Sequence, residues 1–316
     1  MEDYPRTIAE LEARFSSEEE CRRYLSNLRW PEGFRCPRCN GVKAWPIRQV
    51  LYQCSACGHQ TSIIAGTIFE GTRKPLVVWF RAIWWVVSQK NGASALGLKR
   101  VLGLGSYQTA WSWLHKIRRA MVRPGRNPLF GRVEVDETYL GGLEEGVRGR
   151  QTFKKALIVV AAEERGKKAI GRIRMLRIPD ASAIRLRSFI VQAIDPGSTI
   201  VTDGWEGYSG LEAHGYSHEV RIAKAGNESV TKLLPRVHRV VSLLKRWILG
   251  TQQGAISPEH LDYYLDEFTF RFNRRTSQHR GKLFYRLLEY AMQVDPIPYG
   301  KIIKNVRGPK KRNHNI

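Results

Sequence analysis

Residues 131–142, "GRVEVDETYLGG", decide how the second half of the chain is read. Val133 and Val135 alternate with Glu134 and Asp136, the period of two that sends successive side chains to opposite faces of a strand. The stretch before it, "RPGRNPLFG" (123–131), holds two prolines and two glycines and reads as a linker. Beyond it, "KKALIVVAAEERGKKAIGRIRMLRI" (154–178) gives two more strands joined by a polar turn at Gly166. "DASAIRLRSFIVQAI" (180–194) is a helix capped by Asp180 or Ser182. "STIVTDGWEGY" (198–208) is an apolar strand ending at Asp203-Gly204, and "SHEVRIA" (217–223) is a fifth strand. Helical patterns fill "PRVHRVVSLLKRW" (235–247), "SPEHLDYYLDEFTFRFNRR" (257–275) and "KLFYRLLEYAM" (282–292). Three strands, helix, strand, helix, strand, helix describes a mixed sheet covered by helices.

The first half is built differently. "CPRCNG" (36–41) and "CSACGH" (54–59) are two C-x2-C knuckles that can offer four thiolates, from Cys36, Cys39, Cys54 and Cys57, to one tetrahedral zinc. Gly41 and Gly58 suit the tight turns that point the sulfurs inward. Short alternating segments around the knuckles complete a zinc ribbon over residues 31–70, after a helical lead-in over 1–30 in which Cys21 is a packing residue. Residues 71–125 are helical: "KPLVVWFRAIWWVVSQK", "NGASALGLKRVLGLGS" and "YQTAWSWLHKIRRAM" read as helix, short helix, turn, helix, with Ser106 capping the last. A helix-turn-helix lays its last helix in the DNA major groove, which makes Lys116, Arg118 and Arg119 candidate DNA contacts. A plain helical connector is the competing reading.

The charge favours nucleic acid. Lys and Arg number 52 against 29 Asp and Glu, a formal net charge of +23, and a field of that size calls for a polyanionic partner. The longest apolar run, "LVVWFRAIWWVVSQ", is interrupted by Arg81 and falls short of a membrane span. The first residues, "MEDYPRTIAELEARF", are acidic and unlike a secretory signal. The expectation is a cytoplasmic, nucleoid-associated protein with no membrane partner. The end of the chain, "KNVRGPKKRNHNI" (304–316), reads as a basic arm within a tail over 296–316.

Asp136 and Asp203 stand at or near the ends of apolar strands, where a carboxylate loses hydration unless something neutralises it. Asp203 before Gly204 could equally be a turn residue and Asp136 a capped strand end. Two such acids on separate strands of a basic domain can also meet at the sheet's edge and share divalent cations. On helix 235–247, His238 and Lys245 are seven residues apart and so project from nearly the same side.

Together "GRVEVDETYLGG", "VTDGWEGY" and "VHRVVSLLKRW...YLDEFTFRFNRR" resemble the DDE transposases of bacterial insertion sequences, and more narrowly the ISXO-like group. "GTIFEGTRKPLVVWFRAIW" is also similar to that group. The resemblance implies a zinc ribbon before a ribonuclease-H-like catalytic domain, here over 126–295. It implies that Asp136 and Asp203 are the first two metal-binding acids, that His238 occupies the third acidic position, and that Lys245 is the lysine seven residues on. Glu267 or Asp266 on the next helix is the rival third ligand. Imidazole in place of carboxylate shifts the preference of a two-ion Mg2+ or Mn2+ site towards Mn2+. Arg239 and Arg246 are expected to face DNA. The expected partners are double-stranded DNA, both element ends and target, and further copies of the chain in a dimer or larger assembly. The implied function is binding of terminal inverted repeats with metal-dependent cleavage and strand transfer. The competing functions are a regulator with a decayed core and a nuclease or resolvase without strand transfer.

Overall fold

The computed structural model describes residues 3–48, 50–122, 125–141, 155–166, 169–222, 233–254 and 256–304. Two compact units are present: residues 1–125 with 277–316, and residues 126–276.

In the first unit, helices α1 (Ile8–Arg14) and α2 (Glu18–Arg29) precede a three-stranded antiparallel sheet of β1 (Ala44–Arg48), β2 (Leu51–Cys54) and β3 (Gln60–Ser62). Ser17 caps α2 as a capping box: its hydroxyl accepts from the Glu20 amide while the Glu20 carboxylate accepts from the Ser17 amide. Helices α3 (Leu76–Ser88), α4 (Ala95–Leu102) and α5 (Tyr107–Ala120) follow. Ser94 and Ser106 accept from the amides of Gly97 and Thr109, so α5 begins at the expected serine and α4 at a serine of the same kind. Gly103, at φ +61°, ends α4 and lets the chain turn into α5.

The second unit holds β4 (Arg132–Leu140), β5 (Ala156–Arg165), β6 (Ala169–Ile178), α6 (Ala183–Ala193), β7 (Thr199–Thr202), β8 (Ser217–Val220), α7 (Pro235–Gln252) and α8 (Leu261–Asn273). The sheet order is β6-β5-β4-β7-β8. β4, β5 and β6 form an antiparallel meander, and β7 and β8 run parallel to β4 on its other side. This is the ribonuclease-H-like arrangement. Strand alternation gives the sheet two apolar faces. Val133, Val135, Val159 and Ala161 pack against Leu186, Phe189 and Ile190 of α6. Ile158, Val160 and Ala162 pack against Val237, Val240, Val241 and Leu244 of α7 and Leu265, Phe268 and Phe272 of α8. Each fully buried Val or Leu contributes roughly 1.5–3 kcal/mol, so the α7 stripe is a strong attachment.

Two expectations change. Where a helix was predicted between the fourth and fifth strands, two single 3₁₀ turns stand, Glu206–Tyr208 and Glu212–His214. Gly210 (φ +77°) and Gly215 (φ +83°) take left-handed backbone there, which a continuous helix does not tolerate. The predicted catalytic domain ran to 295, but the second unit ends at Thr276. The next helices, α9 (Arg280–Ala291) and α10 (Tyr299–Ile303), belong to the first unit, where Phe284 meets Phe80 and Trp84 at ring separations of 5.6 and 5.7 Å. From residue 305 the basic arm lies outside the described residues.

Candidate functional site

Cys54 ends β2, and the other three cysteines sit in the turns beside the small sheet. Cys36 and Cys57 bring their sulfurs to 3.7 Å, Cys39 and Cys54 to 3.6 Å, and all four lie within 4.8 Å of one another. Four thiolates at a Zn–S distance of about 2.3 Å form a tetrahedron with edges of about 3.8 Å, so the spacing fits zinc. Gly41 shows the same fit: a Cβ there would sit 3.1 Å from the Cys54 sulfur and 3.3 Å from that of Cys39. Cys21 stays apart, fully buried, with burial pushing its thiol up to about 12.

The second cluster grows from the large sheet. The β4–β7 register pairs Glu134 with Val201, so Asp136 and Asp203 each stand two residues past the last paired position on adjacent parallel strands. Asp136 lies on the same face of β4 as Glu134, the face covered by α7. From α7, His238 brings Nε2 to 4.0 Å from Asp136 Oδ2. The side chains are 25% and 15% exposed, buried enough to be placed by packing and open enough to receive a ligand. Backbone amides orient both acids: Glu137 N donates to Asp136 Oδ1 at 2.8 Å, and Trp205 N donates to Asp203 Oδ1 at 3.0 Å. Two carboxylates and one imidazole are a donor set for a divalent cation. Among the described residues only the four cysteines close to within 4.8 Å as a group of three or more. The Asp136, Asp203 and His238 donors are therefore more widely spread than a single-zinc cage.

Glu137 points to the opposite face, as alternation requires, and accepts from the Tyr208 hydroxyl at 2.7 Å. Tyr208 is wholly buried. Burial first, then Glu137, Asp136 and Asp203, raises its phenol far above the usual range, so it remains a donor behind the two acids.

The rival third ligands do not share this placement. α8 packs on β6, at the sheet edge away from β7, whereas α7 packs on β5 and β4. Glu267 on α8 is 1% exposed and is bound by Arg271 at 2.8 Å. Lys245, Arg239 and Arg246 are exposed on α7.

In the first unit two candidate DNA contacts must be withdrawn from the surface. Arg118 is 2% exposed and Arg119 fully buried; their guanidiniums donate to the Ala93 and Asp295 carbonyls at 3.3 and 3.5 Å. The C-terminal half of α5 is covered by α4, α9 and α10, so its basic residues point into protein. Lys116 is half-buried, and burial lowers its ammonium pKa. The open part of α5 is its first turn, Tyr107 and Gln108, and Arg100 of α4 is also exposed. Glu134 and Arg236, both buried here, carry no sign in the sequence, because Glu134 falls at a polar position of its strand's alternation and Arg236 at the start of α7.

The second unit thus presents one carboxylate within β4 and another just past β7, on a ribonuclease-H-like sheet, and the first unit holds a four-cysteine cluster. Residues 128–273 match the ISXO2-like transposase domain and residues 16–60 the transposase zinc-ribbon domain. Over these two stretches the chain is thus similar to ISXO2-like transposases and to their zinc ribbon. It is 27% identical over 279 residues to "Uncharacterized protein in transposable element ISH50" of Halobacterium salinarum, spanning 81% of this chain and 91% of that protein. Among solved structures it is similar to the catalytic core domain of BIV integrase, at 16% identity and a TM-score of 0.31, over 48% of this chain and 88% of that one. It is also similar to Mos1 transposase in a paired-end complex with the left transposon end, at 12% identity and a TM-score of 0.26, over 64% and 79% of the two chains. Among the described residues no helix is long and apolar enough to cross a membrane.

Proposed function

We propose that this chain is the transposase of an insertion sequence, binding the element's terminal inverted repeats and catalysing metal-dependent cleavage and strand transfer. The observation that carries the reading is the meeting of His238 Nε2 and Asp136 Oδ2 at 4.0 Å, on the strand that pairs with β7, after which Asp203 follows directly. Two divalent cations, when bound, supply Lewis-acid stabilisation of charge developing on the scissile phosphate. Asp136 and Asp203 offer acceptor-only oxygens already oriented by backbone amides, and His238 offers one nitrogen from the helix side. Lys245, two turns further along α7, provides a point charge for a backbone phosphate, with Arg239 and Arg246 flanking it. The α4–α5 pair reads the repeat through the first turn of α5, where Tyr107 and Gln108 present hydrogen-bonding groups and Arg100 anchors phosphate. Synapsis of two ends requires a dimer or larger assembly, acting in the cytoplasm where the DNA lies.

The test mixes zinc-loaded protein, a labelled terminal-repeat duplex, target DNA and Mn2+. Joined products support the proposal, nicks without joining indicate a nuclease, and binding alone indicates a regulator. Asp136→Asn and Asp203→Asn are expected to bind the duplex and lose cleavage at least a hundredfold. Unimpaired cleavage removes that residue from the site.

A further inference from the structure

Glu134 is a fully buried carboxylate on β4, two residues before Asp136 on the same face. Helix α7 opens with Pro235, and Leu234 before it makes no side-chain cap. The first free amides of the helix therefore need an acceptor from elsewhere. Glu134 supplies it: Oε2 accepts from the amides of Arg236 at 2.7 Å and Val237 at 3.0 Å, and Oε1 accepts from Arg236 Nη1 at 2.9 Å. The next residue is His238, whose amide makes a helical bond, to the Leu234 carbonyl at 3.1 Å. Arg236 is held in turn by Glu164 at 3.0 Å and by the Gly166 and Ala169 carbonyls at 3.2 and 3.3 Å.

The placement relates all three candidate ligands to one group. Asp136 is one strand repeat beyond Glu134. Asp203 is the same distance beyond Val201, the register partner of Glu134. His238 follows directly on the two amides that Glu134 binds. A single carboxylate thus ties the strand bearing Asp136 to the helix bearing His238, one pleat behind the site. Only an acceptor-only group serves there, because two amides and a guanidinium all point donors at it.

We infer that Glu134 and Arg236 are a positioning pair that sets His238 against Asp136 and thereby tunes the divalent-cation affinity of the site. The inference rests on the ligand reading of His238. Losing a group that orients a metal ligand typically weakens metal affinity 10–100-fold.

The experiment measures Mn2+ binding to the full-length, zinc-loaded chain by the electron paramagnetic resonance of free Mn2+, together with duplex binding without added metal and cleavage. The chains are wild type, Glu134→Gln, Glu134→Asp, His238→Ala, and Phe268→Ala as a core control on the same face of the sheet. All are measured below their melting temperatures. Glu134→Gln should raise the Mn2+ concentration for half-saturation at least tenfold with duplex binding unchanged, Glu134→Asp should recover part of the loss, and Phe268→Ala should match wild type. Should Glu134→Gln not fold, Glu134→Asp carries the test, with a weakening of at least threefold expected. Wild-type Mn2+ affinity in the folded Glu134 variant, or an equal loss in Phe268→Ala, overturns the inference. If His238→Ala itself binds Mn2+ and cleaves like wild type, the ligand reading fails instead.

Discussion

Replacing His238 by Glu tests the candidate site with a sign that only the proposed geometry predicts. The imidazole Nε2 stands 4.0 Å from Asp136 Oδ2, so the carboxylate introduced by His238→Glu, reaching the same point, would bring two like charges together. At that distance the repulsion is about 1 kcal/mol in water and about 4 kcal/mol at an effective dielectric constant of 20. The His238 side chain is 25% exposed, which places the value in the lower half of that range, about 1–2 kcal/mol. For a unit of about 150 residues each kcal/mol moves the melting temperature by roughly 2–4 °C, so the transition of the second unit should fall by about 2–8 °C in metal-free buffer. A divalent cation between the carboxylates reverses the repulsion, so Mg2+ should raise the variant's transition more than the wild type's. Thermal melts of zinc-loaded protein, with and without Mg2+, provide the assay. Cleavage run in parallel should show some activity in His238→Glu with preference moved from Mn2+ towards Mg2+, and none in His238→Ala. Identical metal-free melts for wild type and His238→Glu, with no added response to Mg2+, would refute the placement of His238 beside Asp136.

Cys54→Ser should lose stoichiometric zinc by elemental analysis, and Gly41→Ala should weaken zinc retention because its methyl group meets two ligand sulfurs; full zinc in Cys54→Ser removes the ribbon assignment. Duplex affinity should fall steeply between low and moderate salt as Lys and Arg displace counterions. Tyr107→Ala and Gln108→Ala should reduce the preference for terminal-repeat over random duplex about tenfold in competition binding, and an undiminished preference excludes the first turn of α5 from sequence readout. Glu163 is pushed up by burial, but bonds from the Arg172 side chain and from the Arg172 and Phe130 amides outweigh this and hold it below its usual 4.5. A depressed carboxylate stabilises the fold above its unfolded pKa and loses that contribution as pH falls through the folded value. Acid melts of Glu163→Gln should therefore flatten relative to wild type below about pH 4.5, and parallel curves would contradict the assignment.

What the sequence determined by itself was everything that chain neighbours settle among themselves. Ser17, Ser94 and Ser106 begin their helices because a hydroxyl and an amide three residues on need no distant partner. The alternation of Val133 and Val135, and the two strands about Gly166, express a periodicity local to each strand. The paired knuckles carry their geometry in their spacing, and the structure closes their sulfurs to metal-binding distance. Tertiary structure decided which charges turn inward. Arg118 and Arg119 look like a basic helix end until α4, α9 and α10 cover them. Glu134 looks like a solvent-facing strand residue until the Arg236 guanidinium, 102 positions away, arrives with the amides of Arg236 and Val237. The pairing of β4 with β7 ends at Glu134 and Val201, each two residues before a candidate acid, and the packing of α7 on β4 brings in His238. Burying a charge is unfavourable unless a partner meets it, and that partner is chosen by the packing of distant segments, which no local pattern encodes.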